Sequence, residues 1–325
     1  MYTVPGRVRG RYKAVVRSAA AGDVLRESSW GGNLITLHGF YEMLGNTARA
    51  IKAVVGTGNV TPQETDSTLT NFVGFSSTAS PVVRTANSIP DVNGNVSVSF
   101  LYRWTFNPGQ LGSSPLNLAE AGVCANITTP VSSTPIYSHG LLVDDSGVPT
   151  AVSYDPVSEY LDLYWELTFF TPAEISGTVT IVIDGVPTNF NYTATPMEFT
   201  TYFLREVSNS IPGWYISNTS TAPRFGCCVT ASPRAALTAA PTGPYGSVTA
   251  ISSAISLGDK SRVATLNCSP TQGNVVGGIK TVCVSGSSGG GGNQSYLFQI
   301  EYSPNIPKDT NHALSLPFTI SLDNI

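Results

Sequence analysis

The chain has 325 residues, seventeen Lys and Arg against twenty-one Asp and Glu, a formal net charge of −4, and only 12% charged residues. That length leaves room for one large domain or two ordinary ones. The sparse, slightly acidic charge excludes a nucleic-acid signature for the chain as a whole, and the lack of any run of eighteen apolar residues excludes a transmembrane helix. Ser, Thr, Asn and Gly supply the polar surface instead. Such a surface suits β strands with uncharged faces, and equally a protein partly covered by neighbours.

The cations are unevenly placed. Arg7, Arg9, Arg11, Lys13, Arg17 and Arg26 are six of the seventeen. Within residues 7–17 they alternate loosely with Val8, Tyr12 and Val16, which predicts a strand with one cationic edge. Residues 1–17 hold no continuous apolar run, so a secretory leader is not expected. Asn33 to Leu44 (NLITLHGFYEML) reads as a helix, with apolar spacings of three and four and Gly45 as its end. Gly39 inside it costs about 1 kcal/mol, so packing must hold it. Residues 48–55 read as a strand, and 57–71 as a loop with a short helical turn.

Strict alternation then takes over. Val96, Val98, Phe100, Tyr102, Trp104 and Phe106 fall on one phase of residues 96–106, and Leu161, Leu163, Trp165, Leu167 and Phe169 on one phase of 160–170. Further strands are expected at 136–143, 150–155, 177–184 and 186–194, with Asp144-Asp145-Ser146-Gly147 and Asp184-Gly185 as tight turns. Prolines at 212, 223, 233, 241 and 244 interrupt residues 205–245 and place a domain boundary between 205 and 206. Beyond it, strands are expected at 246–256, 260–268, 275–285, 295–302 and 314–322. Pro317 marks the last as an edge strand or one beside a partner. Ser285 to Asn293 reads as a mobile tip. The expected fold class is all-β, with two β-sandwich-like domains (1–205 and 206–325) and one short helix near the N-terminus.

Few residues invite chemistry. His38, His139 and His312 are isolated, and no G-x-S-x-G elbow accompanies them. Each reads as a surface or hydrogen-bonded core residue. Asp162 and Glu166 share a strand face but lie roughly 13 Å apart at strand rise, too far for the usual glycosidase pair. Asp144, Asp145 and Gly147 offer too few oxygens for calcium and read as a turn. The glycine run at 286–292 lacks the Lys-Ser/Thr ending of a phosphate loop. Cys124, Cys227, Cys228, Cys268 and Cys283 are an odd number without C-x-x-C spacing, and read as mostly buried thiols made in a reducing cytoplasm. No catalytic residue, cofactor or metal is expected.

Several blocks occur together in order: Asn33-Leu-Ile-Thr, Val54-Val-Gly-Thr-Gly-Asn, Phe100 to Phe106, Asn117-Leu-Ala-Glu-Ala-Gly-Val, Ser138-His-Gly-Leu-Leu-Val-Asp, Glu159-Tyr-Leu-Asp-Leu-Tyr-Trp-Glu-Leu, and Phe298-Gln-Ile-Glu-Tyr-Ser-Pro-Asn-Ile-Pro-Lys-Asp. Over most of the chain they resemble virion tail proteins of tailed bacteriophages, described as tail fibre or structural tail proteins. The resemblance implies a structural component of a bacteriophage virion tail (tail fibre or tail-tip/baseplate subunit), assembled in the host bacterial cytoplasm. It implies a homo-oligomer, with a trimer as the leading symmetry. Other virion tail proteins are the implied partners, a host cell-surface receptor a further one. Nucleic acid and membrane insertion are not. On this reading Arg7, Arg9, Arg11, Lys13 and Arg17 dock on an acidic neighbour; a solvated strand face is the alternative. Trp30, Trp214 and Tyr215 stand as exposed binding residues. The competing readings are a capsid decoration or head–tail structural protein, a polysaccharide-degrading tailspike-type enzyme, and a cellular carbohydrate-binding module.

Overall fold

A computed structural model of the chain describes residues 2–45, 51–125, 129–183, 185–197, 227–252, 255–287 and 294–325. The protein is all-β and sandwich-like, with antiparallel sheets and, among the described residues, one helix. The first strands are β1 (Tyr2–Ser18), β2 (Val24–Glu27) and β3 (Gly31–Ile35), followed by α1 (Leu37–Leu44), β4 (Ile51–Gly56), β5 (Phe72–Ser76) and β6 (Val83–Asn87). Next come β7 (Asn95–Phe106), β8 (Leu116–Leu118), β9 (Glu120–Ala125), β10 (Ile136–Leu141), β11 (Val152–Tyr154) and β12 (Glu159–Pro172). Then follow β13 (Ile175–Ile183), β14 (Val186–Pro196), β15 (Cys228–Thr230), β16 (Tyr245–Ser247) and β17 (Thr249–Ser252). The last are β18 (Ser261–Cys268), β19 (Ile279–Ser287), β20 (Gln294–Ile306) and β21 (Leu314–Asn324).

A thirteen-stranded sheet runs β17-β18-β21-β1-β3-β10-β9-β4-β5, with β2 and a β12-β7-β6 series branching from β1. A six-stranded sheet runs β13-β14-β20-β19-β15-β16, and β8 and β11 form a separate pair. Strand β1 joins the branches of the thirteen-stranded sheet. One of its edges pairs antiparallel with β12 from Arg7↔Phe170 to Ser18↔Glu159. The other takes β21 in parallel at Tyr2 to Val8, then β3 at Gly10 to Tyr12, then β2 at Val15 to Arg17.

The period of two decides which side chains go inward. Val8, Tyr12 and Val16 of β1 are buried, as are Leu161 to Phe169 of β12 and Val96 to Phe106 of β7 on the same phase. Register places Tyr12 opposite Trp165, and Trp165 opposite Tyr102. An aromatic cluster results, with ring centroids 6.3 Å apart for Tyr12–Trp165, 5.1 Å for Tyr102–Trp165 and 5.6 Å for Tyr102–Trp104. One hydrophobic cluster takes in this region and the facing sides of both large sheets, including Ile181, Phe190, Ile300, Leu266 and Phe318.

Three expectations need correction. The helix begins at Leu37, not Asn33. Thr36 caps it, its Oγ1 accepting from the Gly39 N–H at 3.2 Å. Asn33 instead pairs with Gly10 and Gly140 as part of β3. Gly39 is explained by close approach, since a Cβ there would lie 2.1 Å from the Tyr137 carbonyl oxygen. Gly45 is extended, and Arg262 Nη1 donates to the Leu44 carbonyl at 2.7 Å where a glycine cap was expected.

Second, residues 57–71 form loop and turns rather than a turn of helix. Third, β21 is interior, flanked by β18 and β1. Pro317 is tolerated because β1 begins opposite Phe318, so among the described residues β18 alone reaches the proline. Strand pairing also links segments on either side of residues 205/206. Strand β14 pairs with β20, and β21 pairs with β1. The stretch 205–226 and the glycine run 288–293 lie outside the described residues.

Trp165 contacts aromatic rings contributed by β1 and β7. Trp165→Ala is expected to cost about 3–5 kcal/mol in denaturant unfolding. A loss below about 1 kcal/mol would show that the cluster is not the centre of the core.

Candidate functional site

Among the described residues, charge gathers on the outward face of β1 and around a buried imidazole between β9, β10 and the 57–71 loop. On β1 the inward phase is apolar, so Arg7, Arg9, Arg11, Lys13 and Arg17 all point outward. Their neighbours are set by the β12 register. Arg11 makes a two-pronged bond to Glu166 at 2.9 and 3.0 Å. Arg17 reaches the buried Asp162 at 2.9 Å, and Arg103 reaches the same carboxylate at 2.8 Å. Thr105 donates to the other oxygen of Asp162 at 2.7 Å. Lys13 pairs with Glu27 at 3.0 Å. Arg7 stands opposite Asp323 in the β21 register. Arg9 has no carboxylate partner among the described residues and lies 5.3 Å over the Phe170 ring.

The expected cationic face therefore exists, but acids of β12 and β2 balance much of it. Asp162 and Glu166, weighed above as a glycosidase pair, are both occupied by arginines. Trp30 is half-buried beside this face, with the Arg11 guanidinium 4.8 Å over its ring and Tyr164 edge-on at 6.4 Å. A groove of about 530 Å³ opens there, lined by Arg9, Arg11, Trp30, Leu34, Thr61 and Pro62, with Ile325 nearby. Trp214 and Tyr215 lie outside the described residues.

The second place was not legible in the sequence. His139 Nδ1 meets Asp66 Oδ2 at 2.7 Å, and its Nε2 meets Glu120 Oε2 at 3.0 Å. His139 is 1% exposed and Glu120 0%. Glu120 also accepts the backbone N–H groups of Gly58 (3.0 Å), Thr70 (3.0 Å) and Asn71 (2.7 Å). A Cβ at Gly56 or Gly58 would lie 2.4 or 2.5 Å from Glu120 Oε1, so the Gly-Thr-Gly spacing makes room for the carboxylate.

A neutral imidazole donates from one nitrogen only. Two ionised carboxylates therefore call for the imidazolium. Burial opposes charge on His139, but its bonds to Glu120 and Asp66 outweigh this and raise its pKa above 6.5. Burial likewise pushes Glu120 up, while His139 and the three amides pull it below 4.5. Both ring nitrogens face carboxylates, which leaves neither free to activate a nucleophile. The arrangement acts as a clamp that fixes the 57–71 loop to the sheet.

His38 lies on α1, and His312 bonds Asp309 at 2.7 Å. The Asp144 turn is as expected: Asp144 Oδ1 accepts the Ser146 and Val148 amides at 2.8 and 3.0 Å, and Gly147 has φ +76°. No family model, curated protein or solved structure matches the chain.

The clamp has a defined pH window. His139, with a raised pKa, contributes stability that is full below about 6.5 and lost as pH rises through its folded value. Glu120, with a lowered pKa, contributes stability that is full above about 4.5 and lost as pH falls through its folded value. Protection of the Gly58, Thr70 and Asn71 amides, taken relative to their intrinsic exchange at each pH, should be greatest between those limits and fall on both sides. His139→Leu should cost about 3–5 kcal/mol, because Glu120 stays buried without its counter-charge. Protection factors that stay constant across the same range in the native protein would refute the clamp.

Proposed function

We propose that the chain is a structural subunit of a tailed-bacteriophage virion tail, in a tail fibre or in the tail tip or baseplate, and that it contributes to host-surface attachment. The ordered blocks that resemble tail proteins motivate the reading. The observation that carries it is the β scaffold, in which the long first strand pairs with the last strand inside a single thirteen-stranded sheet. A stiff subunit built this way suits a load-bearing particle.

The outer side of the six-stranded sheet supports self-association. Strand β13 is an edge whose described neighbour is β14 alone. Its outward Ser176, Thr178 and Thr180 bond across to Thr193, Asn191 and Asn189 at 3.1, 3.0 and 2.8 Å, without a charge among them. Uncharged edges invite pairing. A second copy covering this edge fits a homo-oligomer, with a trimer as the symmetry to test first. Arg7 and Arg9, the least balanced cations of β1, are the docking residues toward an acidic tail protein.

Two variants test the parts separately. Thr180→Lys should lower the oligomer mass measured by light scattering while leaving the circular dichroism unchanged; an unchanged mass would remove the β13 edge from assembly. Arg7→Gln with Arg9→Glu should fold normally and fall at least about tenfold in incorporation into particles. Normal incorporation would place docking elsewhere. Gold label on particle heads rather than tails would favour the capsid-decoration reading.

A further inference from the structure

We propose that Cys228 and Cys283 are an oxidation site, at which a small disulfide oxidant forms a cross-strand bridge between β15 and β19. The site is independent of the tail reading. In the antiparallel pair β15–β19, Cys228 stands directly opposite Cys283. Opposite residues send their side chains to the same face, with Cβ atoms roughly 4.5–5.5 Å apart and Cα spacing inside the range that disulfides tolerate. The two thiols lie close enough to influence each other's ionisation. They share a small cluster with Met197, distinct from the main core, and Tyr245 and Ala240 pack against it.

The other three thiols are kept away from this pair. Cys227 belongs to the opposite face, in the main core, and its Sγ bonds the Ser285 carbonyl at 3.8 Å. Cys124 lies on β9 among Val54, Leu69 and Ile136, and Cys268 lies on β18. The odd cysteine count thus divides into one matched pair and three separate thiols. The adjacent Cys227 and Cys228 need no bond with each other, because strand alternation sends them to opposite faces.

Both members of the pair are fully buried, and burial holds a thiol protonated and slow to react. The oxidant reaches them when the edge opens. Strand β16 is a three-residue strand at the end of the sheet, bonded to β15 alone among the described strands, and short edge strands open at low cost. The chemistry is thiol–disulfide exchange with glutathione disulfide. One cysteine thiolate attacks a sulfur of the oxidant, breaking its S–S bond and releasing one glutathione thiolate. The second cysteine thiolate then attacks the mixed disulfide, forming the Cys228–Cys283 bond and releasing the second glutathione. Two protein thiols are oxidised, one glutathione disulfide is reduced, and the two protons end on the released glutathione thiolates.

The bridge would close a long loop, the case in which restricting the unfolded chain stabilises most. The test is to incubate the folded protein with glutathione disulfide in dilute denaturant, quench in acid, unfold, titrate thiols and map the linkage by peptide mass spectrometry. The expected count falls by two from the original five, with a Cys228–Cys283 peptide link. Tm should rise by about 5 °C. The Cys283→Ser variant should lose no pair of thiols under the same treatment. Five thiols remaining, a bond involving Cys227, or a stable glutathione adduct on Cys228 would each overturn the proposal.

Discussion

Strand β1 is hydrogen-bonded along both edges, and that single constraint sets most of the architecture. Its length lets it hold β12 on one side and three successive partners on the other. Parallel pairing with β21 brings the two ends of the described chain into one sheet. The inward phase then sets Tyr12 against Trp165 and Tyr102. The outward phase sets the cations against the carboxylates of β12. A strand so placed is part of the frame, and removing it would expose β12, β21 and β3 together.

The consequence for function is specific. A cationic N-terminal segment suggests a docking arm that could be cut away without harm. Here the docking candidates sit on the central strand, so charge must be probed by surface substitution. The acids opposite Arg11, Lys13 and Arg17 also reduce what those residues can offer a partner, because an engaged guanidinium must leave one carboxylate to reach another. The loop beside this face is held from below by the His139 clamp and from the side by Lys260 and Asn324, which both reach Glu64. The Asn324 side chain also pairs with both backbone groups of Ile35 at 3.0 Å. Segments distant in sequence therefore support one surface.

Much of this was legible from periodicity. The alternations at 96–106 and 160–170 mark β7 and β12, because strand burial leaves a period of two that composition cannot hide, and the Asp144–Gly147 signal marks the turn between β10 and β11. The loose alternation of cations at 7–17 foretells the face they occupy. What could not be read is long-range. Asn33 to Ile35 has helical spacing, but sheet partners at Gly10 and Gly140 draw it into a strand and leave Thr36 as the helix cap. His139, Asp66 and Glu120 are separated by many residues, and only the β9–β10 register and the loop path unite them. The same holds for Cys228 and Cys283, and for the sheet that β14 forms with β20 across the expected boundary. Apart from the hairpin turns, nothing local in the sequence encodes which strand will be a neighbour.

The spine role of β1 is most directly tested by native-state hydrogen exchange read by mass spectrometry. Peptides covering Tyr2–Ser18, Glu159–Pro172 and Leu314–Asn324 should exchange together, among the slowest of the protein, and only through global unfolding. Early exchange of the first of these, with the other two still protected, would contradict the account and make β1 a dispensable arm.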